Sequence, residues 1–217
     1  MIFDWSFAWS ILPALAKAAQ TTFLITVTSF VIALFGGLLL LALRESPMAL
    51  LSRPTMWAVD FIRGTPLLIQ VFFIYYLAPD YGLRLSPLAT GILALGVHYS
   101  CYLCEAYRSA LHAIRRGQWD AARALGLAPH AVFHLVIWPQ MRPLVVPIAG
   151  SYLVYMFKDT PILAAITVRE MMQVAAQIGA DKFRYMEPLT LVGVLFLLMS
   201  LLASYATRAL ERRIAIR

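Results

Sequence analysis

The chain has 217 residues, 61% of them hydrophobic and 13% charged, with a mean hydropathy of +0.76. Soluble domains carry about 25% charge, so this composition excludes an ordinary soluble domain and indicates one integral membrane unit with no room for a separate soluble one. The net charge of +7 sits beside hydrophobic spans and not in one solvated patch, which argues against nucleic-acid binding.

The N-terminal stretch MIFDWSFAWSILPALAK has no basic region before its apolar residues, so it does not read as a cleavable secretory signal. The first span is expected to act as an uncleaved anchor. A hydrocarbon core about 30 Å thick needs roughly 20 apolar helical residues. Five segments meet that rule, predicting an all-α membrane protein with spans at about 21–43, 54–78, 88–107, 142–157 and 189–206. In the second, Asp60 and Arg63 occupy the early turns, and Gly64-Thr65-Pro66 offers a Thr cap followed by Pro. Its membrane-deep part is then expected to begin at Pro66, with Thr55 to Arg63 along the interface. Between spans four and five, the apolar run Pro161 to Val168 is too short to cross and reads as a re-entrant segment.

Lysines and arginines set the orientation. Lys17 and Arg84 stand alone in the N-terminal segment and the second-to-third connection, which are placed outside. Arg44 and Arg53, then Arg108, Arg115, Arg116, Arg123 and Arg142, and finally Arg208, Arg212, Arg213 and Arg217 mark cytoplasmic segments. The fourth-to-fifth loop balances Lys158, Arg169, Lys182 and Arg184 against Asp159, Glu170, Asp181 and Glu187. The N-terminus is therefore predicted outside and the C-terminus in the cytoplasm.

This orientation puts a loop at about 108–141 in the cytoplasm. Within it, Gln118 to Leu125 read as a helix that gathers Ala121, Ala122 and Leu125, with Asp120 near its start and Gly126 as its stop. A second short helix carries Val132, Phe133, Val136 and Ile137 and is expected to end at Pro139. Such a pair suits either a docking knob or an amphipathic loop lying on lipid headgroups.

The pattern Asp120-Ala121-Ala122, three residues, Gly126, nine residues, then Val136-Ile137-Trp138-Pro139 resembles the EAA signature of ABC importer permeases. The chain departs from it at Asp120, Val136 and Trp138, where the family has Glu, Ile and Leu, and keeps the spacing. The runs FIRGTPLLIQ at 61–70, AIRRGQ at 113–118 and KDT at 158–160 are similar to the polar amino acid uptake subfamily, and the likeness spans residues 20–212. It implies a type I importer permease of the bacterial cytoplasmic membrane. In such importers the EAA segment, here Asp120, Ala121, Ala122, Gly126, Val136 and Pro139, forms a coupling helix seated on a cytoplasmic ATPase dimer. A second permease, identical or paralogous, and an extracytoplasmic solute-binding protein complete the assembly. ATP and Mg belong to the ATPase, since this chain has no GxxxxGK[ST] phosphate cradle and no cofactor of its own is expected. A fainter likeness of FKDTPILAAITVRE and FRYMEPLTLVG to permeases for ectoine-type solutes suggests an amino-acid-like zwitterion.

Polar residues inside the spans supply the other candidates. At about 100° per residue, His98, Cys101 and Glu105 fall within roughly 60° on one helix face, with Cys104 further round. A redox pair, a metal site and a polar stripe facing the bundle interior or a solute pathway are the competing readings. Glu105 is either a pathway group or an ion-pair partner of Arg108. Lys158, Asp159 and Thr160 end the fourth span, where an adjacent cation and anion match a zwitterion; pairing with each other or with Arg169 and Glu170 is the alternative. A secondary transporter usually has internal repeats, and none is found; a membrane thiol oxidoreductase would need the two cysteines.

Overall fold

The computed structural model describes residues 3–215; Arg217, counted among the tail cations, lies outside them. Its elements are helical, with no strand among the described residues: α1 (Trp5–Arg44), α2 (Ala49–Gly64), α3 (Leu67–Tyr81), α4 (Pro87–Ala113), α5 (Arg116–Ala124), α6 (Pro129–Ile166), α7 (Met171–Lys182) and α8 (Met186–Ala215). The helices α1, α4, α6 and α8 are long and apolar enough to cross a membrane, and the bent pair α2–α3 is a fifth candidate.

The first helix starts at Trp5, well before the expected Thr21, and its 40 residues rise about 60 Å, roughly twice the hydrocarbon thickness. Asp4 starts it by accepting hydrogen bonds from the backbone N–H groups of Ser6 and Phe7 at 3.0 and 3.1 Å. Arg184 donates to the same carboxylate at 3.2 Å and to Glu187 at 2.7 Å, tying this end to the α7–α8 turn. The Ser6 hydroxyl, the Phe7 N–H and Arg184 lower the Asp4 pKa to about 2. This tether is therefore fully charged above the ordinary carboxyl value of 3.8 and is lost only as pH falls through about 2.

Helices α1 and α4 run parallel over much of their length. Ser29 donates to the Ile92 carbonyl at 3.0 Å, and further along Gly37 lies against Leu103, Cys104 and Tyr107. Small residues permit this approach, which is how helices associate when lipid removes the hydrophobic drive. A Cβ on Gly37 would stand 2.8 Å from the Leu103 Cβ and 3.2 Å from the Cys104 backbone nitrogen. Gly37→Val is expected to force the pair apart at a cost of about 1–3 kcal/mol, read as a lower melting midpoint in detergent. Gly117→Ala, at a glycine with open space around it, is the control and should leave that midpoint unchanged.

Between α2 and α3 the chain turns by 109°. Thr65 precedes Pro66, whose ring pushes it into an extended conformation with φ −109° and ψ 143°, so α2 ends there. The expected Thr cap on the following helix does not form. The Thr65 hydroxyl instead donates backwards to the Phe61 and Ile62 carbonyls, and α3 begins after Pro66 without a side-chain cap.

The α6 helix corrects the expected stop at Pro139. It runs on through Pro139, which falls in the first turn after a π-helical stretch, Val132–Ile137, and also contains Pro143 and Pro147. Its last turn, Thr160–Ile166, tightens to a 3-10 helix in which Leu163 and Ile166 are fully buried. The chain then turns through Thr167, with φ 61°, into α7. Glu170 caps α7 by accepting from the N–H groups of Met172 and Gln173, and the Met171 N–H donates to the Thr22 hydroxyl on α1. The short segment after α6 is thus folded back against α1 with backbone groups bonded to protein, and the run Pro161 to Val168, expected as a separate re-entrant segment, is helical to Ile166 as the end of α6.

Candidate functional site

A cavity of about 390 Å³ opens between α4 and α6, lined by His98, Tyr99, Tyr102, Tyr152, Tyr155, Lys158 and Asp159. Helical spacing sets the walls: 98, 99 and 102 share one side of α4, while 152, 155 and 159 recur every three or four residues along α6. The aromatic rings meet across the gap, with Tyr99 and Tyr102 centred 5.9 and 5.7 Å from Tyr152. The Tyr99 hydroxyl donates to Asp159 at 2.6 Å, which fixes that carboxylate beside the opening. Lys158 is exposed and makes no ion pair among the described residues, and Glu170 is committed to its cap. Pairing of Lys158 with Asp159 or Glu170, and of Asp159 with Arg169, is therefore absent among these residues. Thr160 is buried and donates to the Phe157 carbonyl, so it belongs to the turn below the cavity and not to its wall.

Glu105 also stands apart from the cavity. Its carboxylate bonds Arg44 of α1, lies 3.6 Å from Arg63 of α2 and reaches Arg108 only at 3.9 Å. Arg63 stacks over the Tyr102 ring at 5.3 Å. The principal partner of Glu105 is thus Arg44, 61 residues away, and not Arg108 at i+3. Glu45 nearby takes Arg108 and His112. Together these groups clamp the ends of α1, α2 and α4.

Cys101 and Cys104 are free and buried in the apolar core. Among the described residues no three His, Cys, Asp or Glu side chains converge for a metal ion. A Cys101→Ala/Cys104→Ala variant is expected to keep transport within about twofold of the parent at equal expression, losing only packing. A loss greater than that, in protein that remains monodisperse, would restore a chemical role for the thiols.

At another exposed surface, α5 is the short helix expected in this stretch. It runs from Arg116, so Asp120 sits in its middle and not at its start. It packs on the Val132–Ile137 stretch of α6, and Trp119 and Ala122 belong to the same apolar cluster as Val132, Phe133, Val136, Ile137 and Trp138. Gln140 donates to Gln118 at 3.1 Å across the same seam. Gly126 takes φ +71°; its N–H bonds the Arg123 carbonyl and the Leu127 N–H bonds that of Ala122, a left-handed stop that favours glycine. Val136 and Pro139 are half-buried bracing, whereas Asp120, Ala121 and Gly126 are open. Leu125 at the tip is 78% exposed, an apolar side chain left uncovered by its own chain.

Residues 37–216 match the family described as binding-protein-dependent transport system inner membrane component. The chain belongs to this family. It is therefore a multi-pass inner-membrane permease subunit of an ABC importer, a transport component and not an enzyme, which works with a separate ATPase and a solute-binding protein. A probable amino-acid ABC transporter permease protein, y4tG, of Sinorhizobium fredii is 39% identical over 95% of this chain and 89% of its own length. The glutamine transport system permease protein GlnP of Escherichia coli is 32% identical over the full length of both. Among solved structures, an amino acid ABC transporter with histidines superposes at a TM-score of 0.90, with 27% identity, over 98% of this chain and all of that one. An inward-facing MetNI methionine ABC transporter shares the fold, at a TM-score of 0.75 and 23% identity over 98% of this chain and 99% of that one.

The sequence placed His98, Lys158 and Asp159 among the candidates, and the cavity brings these three together. It did not find Tyr99, Tyr102, Tyr152 and Tyr155, although their spacing along two helices carried a usable signal. The roles of Arg44 and Arg63 beside Glu105 were beyond reach, because these partners lie on other helices.

Proposed function

We propose that this permease carries a polar amino acid or an amino-acid-like zwitterion across the cytoplasmic membrane through the Lys158–Asp159 cavity. The carrying observation is that cavity: an ammonium unpaired among the described residues and a carboxylate stand on adjacent residues in an aromatic-walled opening. Lys158 offers charge to a solute carboxylate and Asp159 accepts from its ammonium, each a charge-assisted hydrogen bond. Four tyrosine rings cover the apolar remainder. The named solutes of relatives, glutamine, L-cystine and arginine, support the amino-acid class.

Five spans, with α2 along the cytoplasmic interface, the N-terminus outside and the C-terminus inside, fit the cationic loops. The exposed face of α5 with Asp120, Ala121 and Gly126, braced by Val136 and Pro139, is then the coupling segment that meets the ATPase dimer. ATP and Mg are held there by the ATPase, and a second permease, this chain again or a paralogue, completes the pathway.

Affinity purification in mild detergent identifies the co-purifying ATPase, second permease and binding protein; a panel of L-amino acids and ectoine then tests which solute stimulates ATP hydrolysis. Stimulation by one or a few zwitterions is expected. Co-purification of no ATPase, with uptake persisting after ATP depletion while the proton gradient stands, would point to a secondary transporter.

A further inference from the structure

The run from Phe61 to Gln70 is partly explained by the break at Pro66, but Gln70 is not needed for a bend. Its side chain reaches in two directions. The amide nitrogen lies 2.7 Å from the Ile62 carbonyl, 3.1 Å from the Thr65 carbonyl and 2.9 Å from the Thr65 hydroxyl, and its oxygen lies 3.0 Å from Nδ1 of His98. Carbonyl oxygens only accept, so the NH2 group must face them and the oxygen must face the histidine. The Thr65 hydroxyl proton is itself spent on Phe61 and Ile62, which leaves that oxygen as a third acceptor. An amide oxygen also only accepts. Nδ1 of His98 therefore carries the proton.

His98 is buried, and no carboxylate pairs with it among the described residues, so an imidazolium there would be an uncompensated charge. In the neutral ring, a proton on Nδ1 leaves Nε2 bare. Nε2 has no hydrogen bond among the described residues, and His98 forms part of the cavity wall.

We infer that Gln70 is a positioning residue: it holds His98 in the Nδ1-protonated tautomer, so that Nε2 is an acceptor selecting solutes with an N–H or O–H donor. This rests on the reading of the cavity as the solute site. Gln70 acts by geometry, since its own amide is occupied by the α2–α3 break and never touches solute. The same bond joins the cavity wall to the 109° turn, so the acceptor is held by the backbone of the break itself.

The test uses 15N spectra of the full chain, labelled at histidine, in lipid nanodiscs. His98→Gln identifies the His98 signals among those of the four histidines. The parent is expected to show Nδ1 protonated and Nε2 bare. Gln70→Met, nearly the same shape without hydrogen-bonding atoms, should shift the tautomer ratio about tenfold, the effect of roughly one buried hydrogen bond. Millimolar L-glutamine should move the Nε2 signal in the parent but not in Gln70→Met. Glycine betaine, a zwitterion with no N–H, should move it in neither.

A protonated Nε2 in the parent, or an unchanged tautomer ratio in monodisperse Gln70→Met, overturns the inference while leaving the solute cavity standing. So does an equal response to betaine. If Gln70→Met does not fold, the parent spectrum and the two solutes still decide. The expected tautomer with no response to either zwitterion overturns the proposed selectivity and counts against the cavity as the solute site.

Discussion

A Gly126→Pro permease is expected to reach the membrane in normal amount and to lose ATP-driven uptake by at least about tenfold. Gly126 has φ +71° and no neighbour within contact of a Cβ, so the substitution removes no packing. Proline cannot adopt that φ and has no N–H for the Arg123 carbonyl, so the stop after α5 must re-form in another geometry. The packing of α5 on the Val132–Ile137 stretch of α6 remains, which confines the damage to the exposed end carrying Leu125. Asp120→Arg approaches the same surface by charge. Its side chain is 73% exposed and touches Arg123 only at 4.0 Å, so stability should change by less than about 0.5 kcal/mol. Uptake and ATPase rate per assembled complex are the measurements. Parent-level uptake by both variants at equal expression would remove α5 as the coupling segment.

Lys158→Gln and Asp159→Asn are expected to weaken apparent solute affinity by about 10- to 100-fold, the loss of a charge-assisted hydrogen bond worth roughly 1.5–3 kcal/mol. Asparagine can still accept from the Tyr99 hydroxyl, so Asp159→Asn removes charge while keeping the 2.6 Å contact that aims the group. Lys158 is exposed and unpaired among the described residues, and its replacement strands no counter-ion. Tyr99→Phe should cost less, about 1 kcal/mol, since it frees the carboxylate without neutralising it. Concentration dependence of uptake, with the complex shown intact by size exclusion, separates these effects. Unchanged affinity and rate in both charge variants would end the assignment of this cavity to the solute.

The membrane class, the helical fold and the short helix around residues 116–124 were legible in the chain because each depends on local pattern. Apolar runs of about 20 residues, Pro66 after Thr65 and the Ala and Gly spacing through 120–126 act within a few turns of one helix. The starting point of α1 was harder to read, since Asp4 caps it with help from Arg184, 180 residues away. Pro139 misled because a proline is tolerated in the first turn of an α-helical stretch, and it falls in the first turn after the π-helical one.

The site divides along the same line. His98, Lys158 and Asp159 were visible as polar groups in apolar company, which is expensive in a membrane and therefore informative. Their chemistry was set by partners on other helices. Packing decided that Glu105 faces Arg44 and leaves the cavity, that Thr160 turns inward, and that Gln70 reaches His98 across the break. By itself, the sequence determined what kind of molecule this is and which residues were too polar to be idle. Only the close parallel packing of α1 on α4, and the fold of α3 and α6 against them, decided which of those groups meet, because hydrogen bonds and ion pairs form at about 3–4 Å between helices whose register no local pattern records.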